Sequence, residues 1–334
     1  MKSSAQTLMT LLFFALIVFC RIQSPAQVSK IRTVVLDTPA ELVQVKIMVK
    51  AGSAFDPAGL EGLAYLTARL MLKGSYGDPK APVTKEQLAE IVRPWGSAAK
   101  PTASTEKETA TFSMSVPRNV LSQYVETVLH PLFTQPLFAQ EELDRERQEI
   151  LEDIGSTYRL ENTELLGLSA IDNFIHEGTS YGHAPFGTVE GLKAVTRENV
   201  LAFYKTYYVP GNLVIALSTK DDDVVMSVTQ ALENIGKSIK GKMLKKQTLD
   251  LPHAISGKHL AIVIQPGTIA SGIHAGFPID LLRTDPDYWA LYVANVSLGT
   301  HRDGFGRLYR DIRQARGYNY GDYSYIEWFD SRPS

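Results

Sequence analysis

The chain has 334 residues, 44% of them hydrophobic and 21% charged, with a formal net charge of −2. That length leaves room for two domains of ordinary size, and the mix is the usual one for a globular protein. The near-neutral balance argues against a nucleic-acid-binding surface, and the composition argues against disorder on a large scale.

The first 26 residues stand apart. Lys2 gives a positive start, Leu8–Cys20 is an apolar run of 13 residues, and Ser24-Pro25-Ala26 sets small residues where a signal peptidase needs them. This is the pattern of a secretory signal peptide, residues 1–26, cut after Ala26. The run is short for a bilayer span, so no stable span is expected after cleavage, with an uncleaved anchor as the alternative. Cys20 is the only cysteine, and the bulky Phe19 before it argues against lipidation. The mature chain would then use neither disulfides nor thiolate chemistry, and without Lys2 and Arg21 it would carry 32 basic against 36 acidic residues, a net of −4. The expected location is secreted or periplasmic.

Further along, Val43, Val45, Ile47 and Val49 alternate with polar or small residues, the period of a half-buried strand. A helix is predicted from about Leu60 to Lys73. Thr84-Lys85-Glu86-Gln87 is a capping box, and the helix it opens stops near Pro94. Phe112, Met114 and Val116 alternate as a second strand. Val120, Leu121, Tyr124, Val125 and Val128 form a helical stripe, a charged helix runs from near Gln140 past Ile154, and Leu213–Leu217 is a short apolar strand.

Lys237–Lys246 holds five lysines in ten residues. The stretch 237–258 reads as a solvated interdomain linker, with an anion-binding surface as the rival. Beyond it, Leu260–Ile264 and Ile273–Phe277 are predicted strands separated by a Pro-Gly turn. Asp285-Pro286 then caps a helix carrying Tyr288, Leu291, Tyr292 and Leu298. Alternating strands mixed with amphipathic helices in both halves suit an α+β class better than strict βαβ alternation.

Tyr65, Ala68 and Arg69 sit at i, i+3 and i+4 and so share one helix face. Gly62-Leu63-Ala64 before them and Leu70-Met71-Leu72-Lys73-Gly74-Ser75 after them resemble the flanks of the H-x-x-E-H motif in pitrilysin-type (insulinase-family) zinc peptidases. The resemblance maps the motif's first His to Tyr65, its Glu to Ala68 and its second His to Arg69. Glu146-Arg147-Gln148-Glu149-Ile150-Leu151-Glu152-Asp153-Ile154 is similar to the family's E-R-x-x-x-x-E-E-I pattern. It puts the third ligand position at Asp153, one methylene short, and keeps a second acid at Glu146. Tyr181-Gly182-His183 with Gly187-Thr188, Tyr207-Tyr208-Val209-Pro210-Gly211-Asn212, and Arg283-Thr284-Asp285-Pro286-Asp287-Tyr288 extend the likeness over nearly all of the mature chain.

The resemblance implies two related domains: 33–236, and after the linker 259–334. Each would be a mostly antiparallel sheet with helices packed on one face, half of a clamshell. Family members continue for roughly a hundred more residues, so the second domain is expected to be truncated and incomplete.

At the mapped positions the residue chemistry opposes zinc. Arg69 cannot be a ligand, because its guanidinium does not deprotonate. At about 4 Å and an effective dielectric of about 20, a +2/+1 pair costs about 8 kcal/mol. Tyr65 titrates near ~10 and is a poor ligand at neutral pH. Ala68 removes the general base, a function usually worth about 10²–10⁴ in rate. No catalytic residue and no bound metal or other cofactor is therefore expected, and Arg69 is expected to pair with Asp153. The seven histidines offer no replacement: no two lie four apart, and His176 and His183 lie seven apart in a loop-like stretch.

Arg313 and Tyr320 stand seven residues apart in Arg313-Gln314-Ala315-Arg316-Gly317-Tyr318-Asn319-Tyr320. From the residues alone, they could be a helix-end arginine and one of five packing tyrosines within Tyr309–Tyr325. The resemblance implies instead a substrate-binding pair that stabilises a developing oxyanion. It also implies a partner, since some relatives are heterodimers in which one subunit bears the zinc and the other supplies the Arg/Tyr pair. The expectation is therefore a non-catalytic subunit that binds extended peptide by adding a strand to a sheet edge, while a zinc-bearing H-x-x-E-H partner cleaves. The rival is a stand-alone peptide-binding or scaffold protein. No Ser/His/Asp constellation or phosphate loop points to other chemistry.

Overall fold

The computed structural model describes residues 31–39, 41–156, 162–238, 257–264, 267, 271–300, 304–318 and 321–330. The signal-peptide segment and nearly all of the expected lysine-rich linker lie outside these residues.

A five-stranded sheet in the order β1-β7-β2-β6-β5 organises the first half. Its strands are β1 (Arg32–Leu36), β2 (Leu42–Val49), β5 (Thr102–Thr105), β6 (Ala110–Pro117) and β7 (Leu213–Ser218). A small hairpin, β3 (Tyr76–Asp78) with β4 (Ala81–Val83), lies apart. Only β1 and β7 run parallel; β2 pairs antiparallel with both β6 and β7. The alternation along β2 works as its period dictates: Val43, Val45, Ile47 and Val49 are buried, while Leu42, Gln44, Lys46 and Met48 face out. The sheet is thus covered on one face, as expected.

The covering helices are α1 (Leu63–Lys73), α2 (Lys85–Val92), α3 (Leu121–Tyr124), α4 (His130–Thr134), α5 (Gln140–Asp153), α6 (Thr163–Ile175), α7 (Val189–Ala194), α8 (Arg197–Tyr207) and α9 (Asp222–Ser238). α2 opens on the predicted capping box, with Thr84 accepting from the Gln87 amide and Gln87 answering at the Thr84 amide. α3 and α4 are joined by a wide turn, Val125–Leu129, that carries the predicted apolar stripe into the core. α1 lies in the centre of the layer, with Leu63, Leu66, Leu70 and Met71 buried, and packs on α5, α8 and β5.

The start of α1 is set by backbone conformation and by one acid. Gly62 has φ 106°, a region open to glycine, and a Cβ there would meet Leu192 and the Phe186 carbonyl within 3 Å. Asp56 accepts from the Gly62 and Ala64 amides at 2.7 Å each, satisfying donors that the first helical turn leaves over.

The second half departs from expectation. Leu260–Ile264 and Ile273–Phe277 form no strand. Leu260 and Ile273 are 88% and 93% exposed. A strand needs a paired neighbour for its backbone groups, and no described strand pairs with Leu260–Ile264 or Ile273–Phe277. The helix after Asp285 does form, as α10 (Pro286–Gly299). The Asp285 carboxylate turns back to accept from Leu282 N rather than capping the helix.

Candidate functional site

The site grows from two helices laid side by side. On α1, Tyr65, Arg69 and Lys73 recur every four residues and line one face; on α5, Glu146, Glu149 and Asp153 do the same at spacings of three and four. The faces meet. Arg69 Nε donates to Glu146 Oε2 at 3.1 Å, and its Nη2 lies 3.0 Å from that oxygen and 2.9 Å from Glu149 Oε1. Lys73 Nζ lies 2.7 Å from Glu149 and 3.4 Å from Glu146. Arg69 Nη1 reaches toward Tyr65 Oη at 3.5 Å, with the guanidinium carbon 5.7 Å from that ring's centroid.

The expected pairing of Arg69 with Asp153 is present only as the longest of its three acid contacts, at 4.0 Å. The physical reason is position along α5. Glu146 and Glu149 lie two and one turns nearer its N-terminal end and stand opposite Arg69, while Asp153, the last residue of the helix and one methylene short, remains half exposed. Glu149 and Lys73 were not among the sequence candidates. Their periodic placement on the two facing stripes was the signal that could have found them.

The electrostatics are asymmetric. Glu146 is fully buried and Arg69 nearly so, whereas Glu149 and Asp153 are about half exposed. Burial works against the Arg69 charge, but hydrogen bonding and charge at Tyr65 and Glu146 outweigh it, so the guanidinium is held above its ordinary value. The hydrogen bond from Lys73, then the charges of Arg69 and Lys73, hold Glu149 below the usual carboxylate range. In a buried ion pair of this kind, removing one partner strands the charge of the other.

A zinc ion does not fit these residues. Tyr65, Ala68, Arg69 and Asp153 offer a phenol, a methyl, a cation and one carboxylate, and the guanidinium already lies among the acids. Ala68 is itself part of the buried core. Among the described residues, no group of three or more His, Cys, Asp or Glu side chains is arranged to hold a metal.

The other candidates are scattered. Arg313 lies in a wide helical turn, Tyr309–Gln314, with its guanidinium 4.9 Å from the Tyr309 ring centroid. Tyr320 lies outside the described residues. β5 is the last strand of the sheet, pairs only with β6, and exposes Thr102, Ala103 and Ser104. Because α1 packs against β5, this open edge adjoins the helix that carries Arg69. Among the described residues no helix is long and apolar enough to cross a membrane.

Comparison with known proteins adds a lineage to this geometry. A family model described as insulinase (peptidase family M16) matches residues 32–173, and one described as peptidase M16 inactive domain matches 194–332. An uncharacterized zinc protease of Streptomyces coelicolor is 28% identical over 85% of this chain and 59% of its own length. The beta subunit of the mitochondrial-processing peptidase of Dictyostelium discoideum is 23% identical over 82% and 56%. The chain thus spans less than two thirds of the length of both. Among solved structures, a peptidase M16 inactive domain from Pseudomonas fluorescens superposes with a TM-score of 0.69 at 22% identity, covering 90% of this chain and 69% of that one. A protease from Helicobacter pylori gives 0.70 at 16% identity, covering 90% and 70%. At these identities the structural likeness speaks for the fold.

Proposed function

The chain belongs to the pitrilysin/insulinase (M16) peptidase family, and we propose that it is a member without catalysis of its own, which binds extended peptide and complements a zinc-bearing partner. One observation carries this reading. At the helix face where the resemblance places the zinc ligands, the Arg69 guanidinium is held by Glu146 and Glu149 at 3.0 and 2.9 Å. A fixed cation there opposes a divalent ion and leaves no water activated for attack. The ionic clasp does the cross-bracing that a metal bridging the two helices would do.

The peptide is bound at the open edge of β5. An edge strand offers unpaired amides and carbonyls to any extended chain, whatever its sequence, and side-chain pockets add selectivity. Arg313 and Tyr320 act on the substrate from the second half, as donors toward a developing oxyanion in the partner's site. The relatives named as subunits of the mitochondrial-processing peptidase, both beta and alpha, favour a paired arrangement. In this reading, residues 1–26 export the chain and the pair assembles outside the cytoplasm.

The test is co-expression with a family peptidase that retains H-x-x-E-H, followed by co-purification and cleavage of an extended peptide. The pair is expected to cleave at least about tenfold faster than the zinc subunit alone, since electrostatic donors of this kind contribute about 10²–10³. Binding of peptide without a partner, and no gain in cleavage on mixing, would replace this reading with a stand-alone peptide-binding protein.

A further inference from the structure

A second polar cluster lies away from the α1–α5 clasp. Lys107, in the turn between β5 and β6, sends its head group inward, and its side chain is only 10% exposed. A lysine ammonium has three N–H donors and no acceptor. Here it lies against three oxygens. Asp172 Oδ2 of α6 stands at 2.5 Å, and the carbonyls of Tyr181 and His183, in the loop after α6, accept at 2.7 and 2.5 Å. Donors and acceptors match in number, and one carboxylate faces one cation. His176, at the end of α6, has Nε2 3.4 Å from the other carboxylate oxygen, Asp172 Oδ1. One lysine therefore knots together the β5–β6 turn, α6 and the loop that follows it.

The three oxygens are placed by hydrogen bonds that do not involve the lysine. The loop is a run of turns. The Thr179 amide and hydroxyl both donate to the His176 carbonyl, at 3.0 and 2.7 Å. The Tyr181 amide donates to Thr179 Oγ1 at 3.2 Å, the Gly182 amide to the Thr179 carbonyl at 3.0 Å, and the Gly187 amide to the Ala184 carbonyl at 2.8 Å. The path is tight: a Cβ on Gly182 would meet the His176 carbonyl at 2.7 Å. Asp172 is carried by α6 itself.

The knot also reaches α1. The Lys107 carbonyl accepts from the Ala54 amide at 2.7 Å, and the Glu106 carbonyl from the Ser53 amide at 3.0 Å. These residues lie just ahead of Asp56, which holds the first turn of α1. At the far end of the loop the Thr188 amide donates to the Glu61 carbonyl at 3.3 Å. The turn that continues from β5 and the loop after α6 thus both bear on the entry to α1, and the ammonium joins them.

We propose that Asp172 and the carbonyls of Tyr181 and His183 form a primary-ammonium site, built by the fold, which Lys107 fills from within. The head group is the ligand and the stem is its tether. Two of the three acceptors are backbone oxygens set by the loop's own turns, and the third sits on a helix, so the site keeps its shape when the tether is cut. A compact head with three N–H donors suits it; a cation without N–H leaves the carboxylate and both carbonyls short of a partner. Lys107→Ala removes the stem beyond Cβ together with the ammonium, and the part removed has the outline of n-propylammonium. A free amine of that shape is the ligand class the site takes. This inference depends on neither a bound peptide nor a partner chain.

The experiment is hydrogen exchange by mass spectrometry on the full chain at neutral pH, following 176–187 in the wild type, Lys107→Ala and Lys107→Met. Each is measured with n-propylammonium chloride and with tetramethylammonium chloride at equal ionic strength, so that screening is the same in both. Lys107→Ala is expected to lose about tenfold or more of the protection, because it strands a largely buried carboxylate and deletes charged hydrogen bonds. n-Propylammonium should restore most of that loss, since a ligand of the folded state stabilises it, and tetramethylammonium should not. Lys107→Met keeps the stem without the charge, so it should show the loss and no rescue. Where Lys107→Ala is obtained only by refolding, the refolded yield in the two salts is the readout, with the same order expected. Equal effects of the two salts on Lys107→Ala would overturn the proposal, and so would wild-type protection in Lys107→Met.

Discussion

Arg69 and Glu146 join α1 to α5 through two nitrogens on one oxygen, Nε at 3.1 Å and Nη2 at 3.0 Å, with the carboxylate fully buried. A pair like this is costly to break from one side. Glu146→Gln leaves the guanidinium short of charge in a low-dielectric place and is expected to destabilise the fold by about 3 kcal/mol or more. Glu149 touches the same guanidinium but stands about half in water. Glu149→Gln is expected to cost less than about 1 kcal/mol. Urea melts of the two variants check the contrast; equal losses would mean that burial does not decide the clasp's strength.

Gly62 predicts a backbone effect on the same helix. Its φ of 106° and the Leu192 and Phe186 atoms within 3 Å leave no place for a Cβ. Gly62→Ala is expected to cost about 2 kcal/mol or more, from the strained φ and the close contact together. Gly59, also at positive φ but with open space around it, gives the comparison: Gly59→Ala should cost less in the same thermal or urea melt.

The parts of this molecule that follow a local period were readable from the chain. β2, α1 and α5 each repeat one face at the period of their element and bury it, and the Thr84 box is legible from its own four residues. The clasp between α1 and α5 was half readable for the same reason: the positions 65, 69, 146 and 153 share the facing stripes of the two helices. What could not be read was which acid meets Arg69, because that depends on how far α5 slides along α1. The runs at Leu260–Ile264 and Ile273–Phe277 are apolar as strands often are, yet a strand is made by its neighbour and not by its own residues. The knot at Lys107 joins the β5–β6 turn, α6 and the loop after it, and no spacing in the sequence announces it.

Asp56 predicts how stability depends on pH. Burial pushes its carboxyl up to about 8 from an ordinary 3.8, against the lowering effect of the Gly62 and Ala64 amides. The folded state therefore binds this proton more tightly than the unfolded chain. The associated stability is in place below about 4 and is lost as pH rises through about 8. Asp56→Asn removes the titration, so its unfolding midpoint should vary less between about pH 5 and 8.5 than that of the wild type. An equal pH slope in both proteins would assign the dependence to another group.

Arg313 predicts a kinetic effect that appears only in the pair. Its guanidinium is pre-placed over Tyr309 within its own helical turn, and it lies far in sequence from the clasp. With a zinc-bearing partner, Arg313→Ala is expected to lower kcat/KM by about 10²-fold while the two chains still co-purify. Gel filtration beside the cleavage assay separates the two effects. Unchanged turnover would remove Arg313 from the substrate side.

A guanidinium stands at the helix face where the family resemblance would place a metal, and zinc content tests whether it keeps the ion out. The purified chain is to be incubated with excess zinc, desalted and analysed for metal, with its melting temperature taken before and after a strong chelator. The clasp predicts far less than one zinc per chain and a melting temperature that the chelator leaves in place. One tightly held zinc per chain, with a melting temperature that falls on chelation, would contradict it.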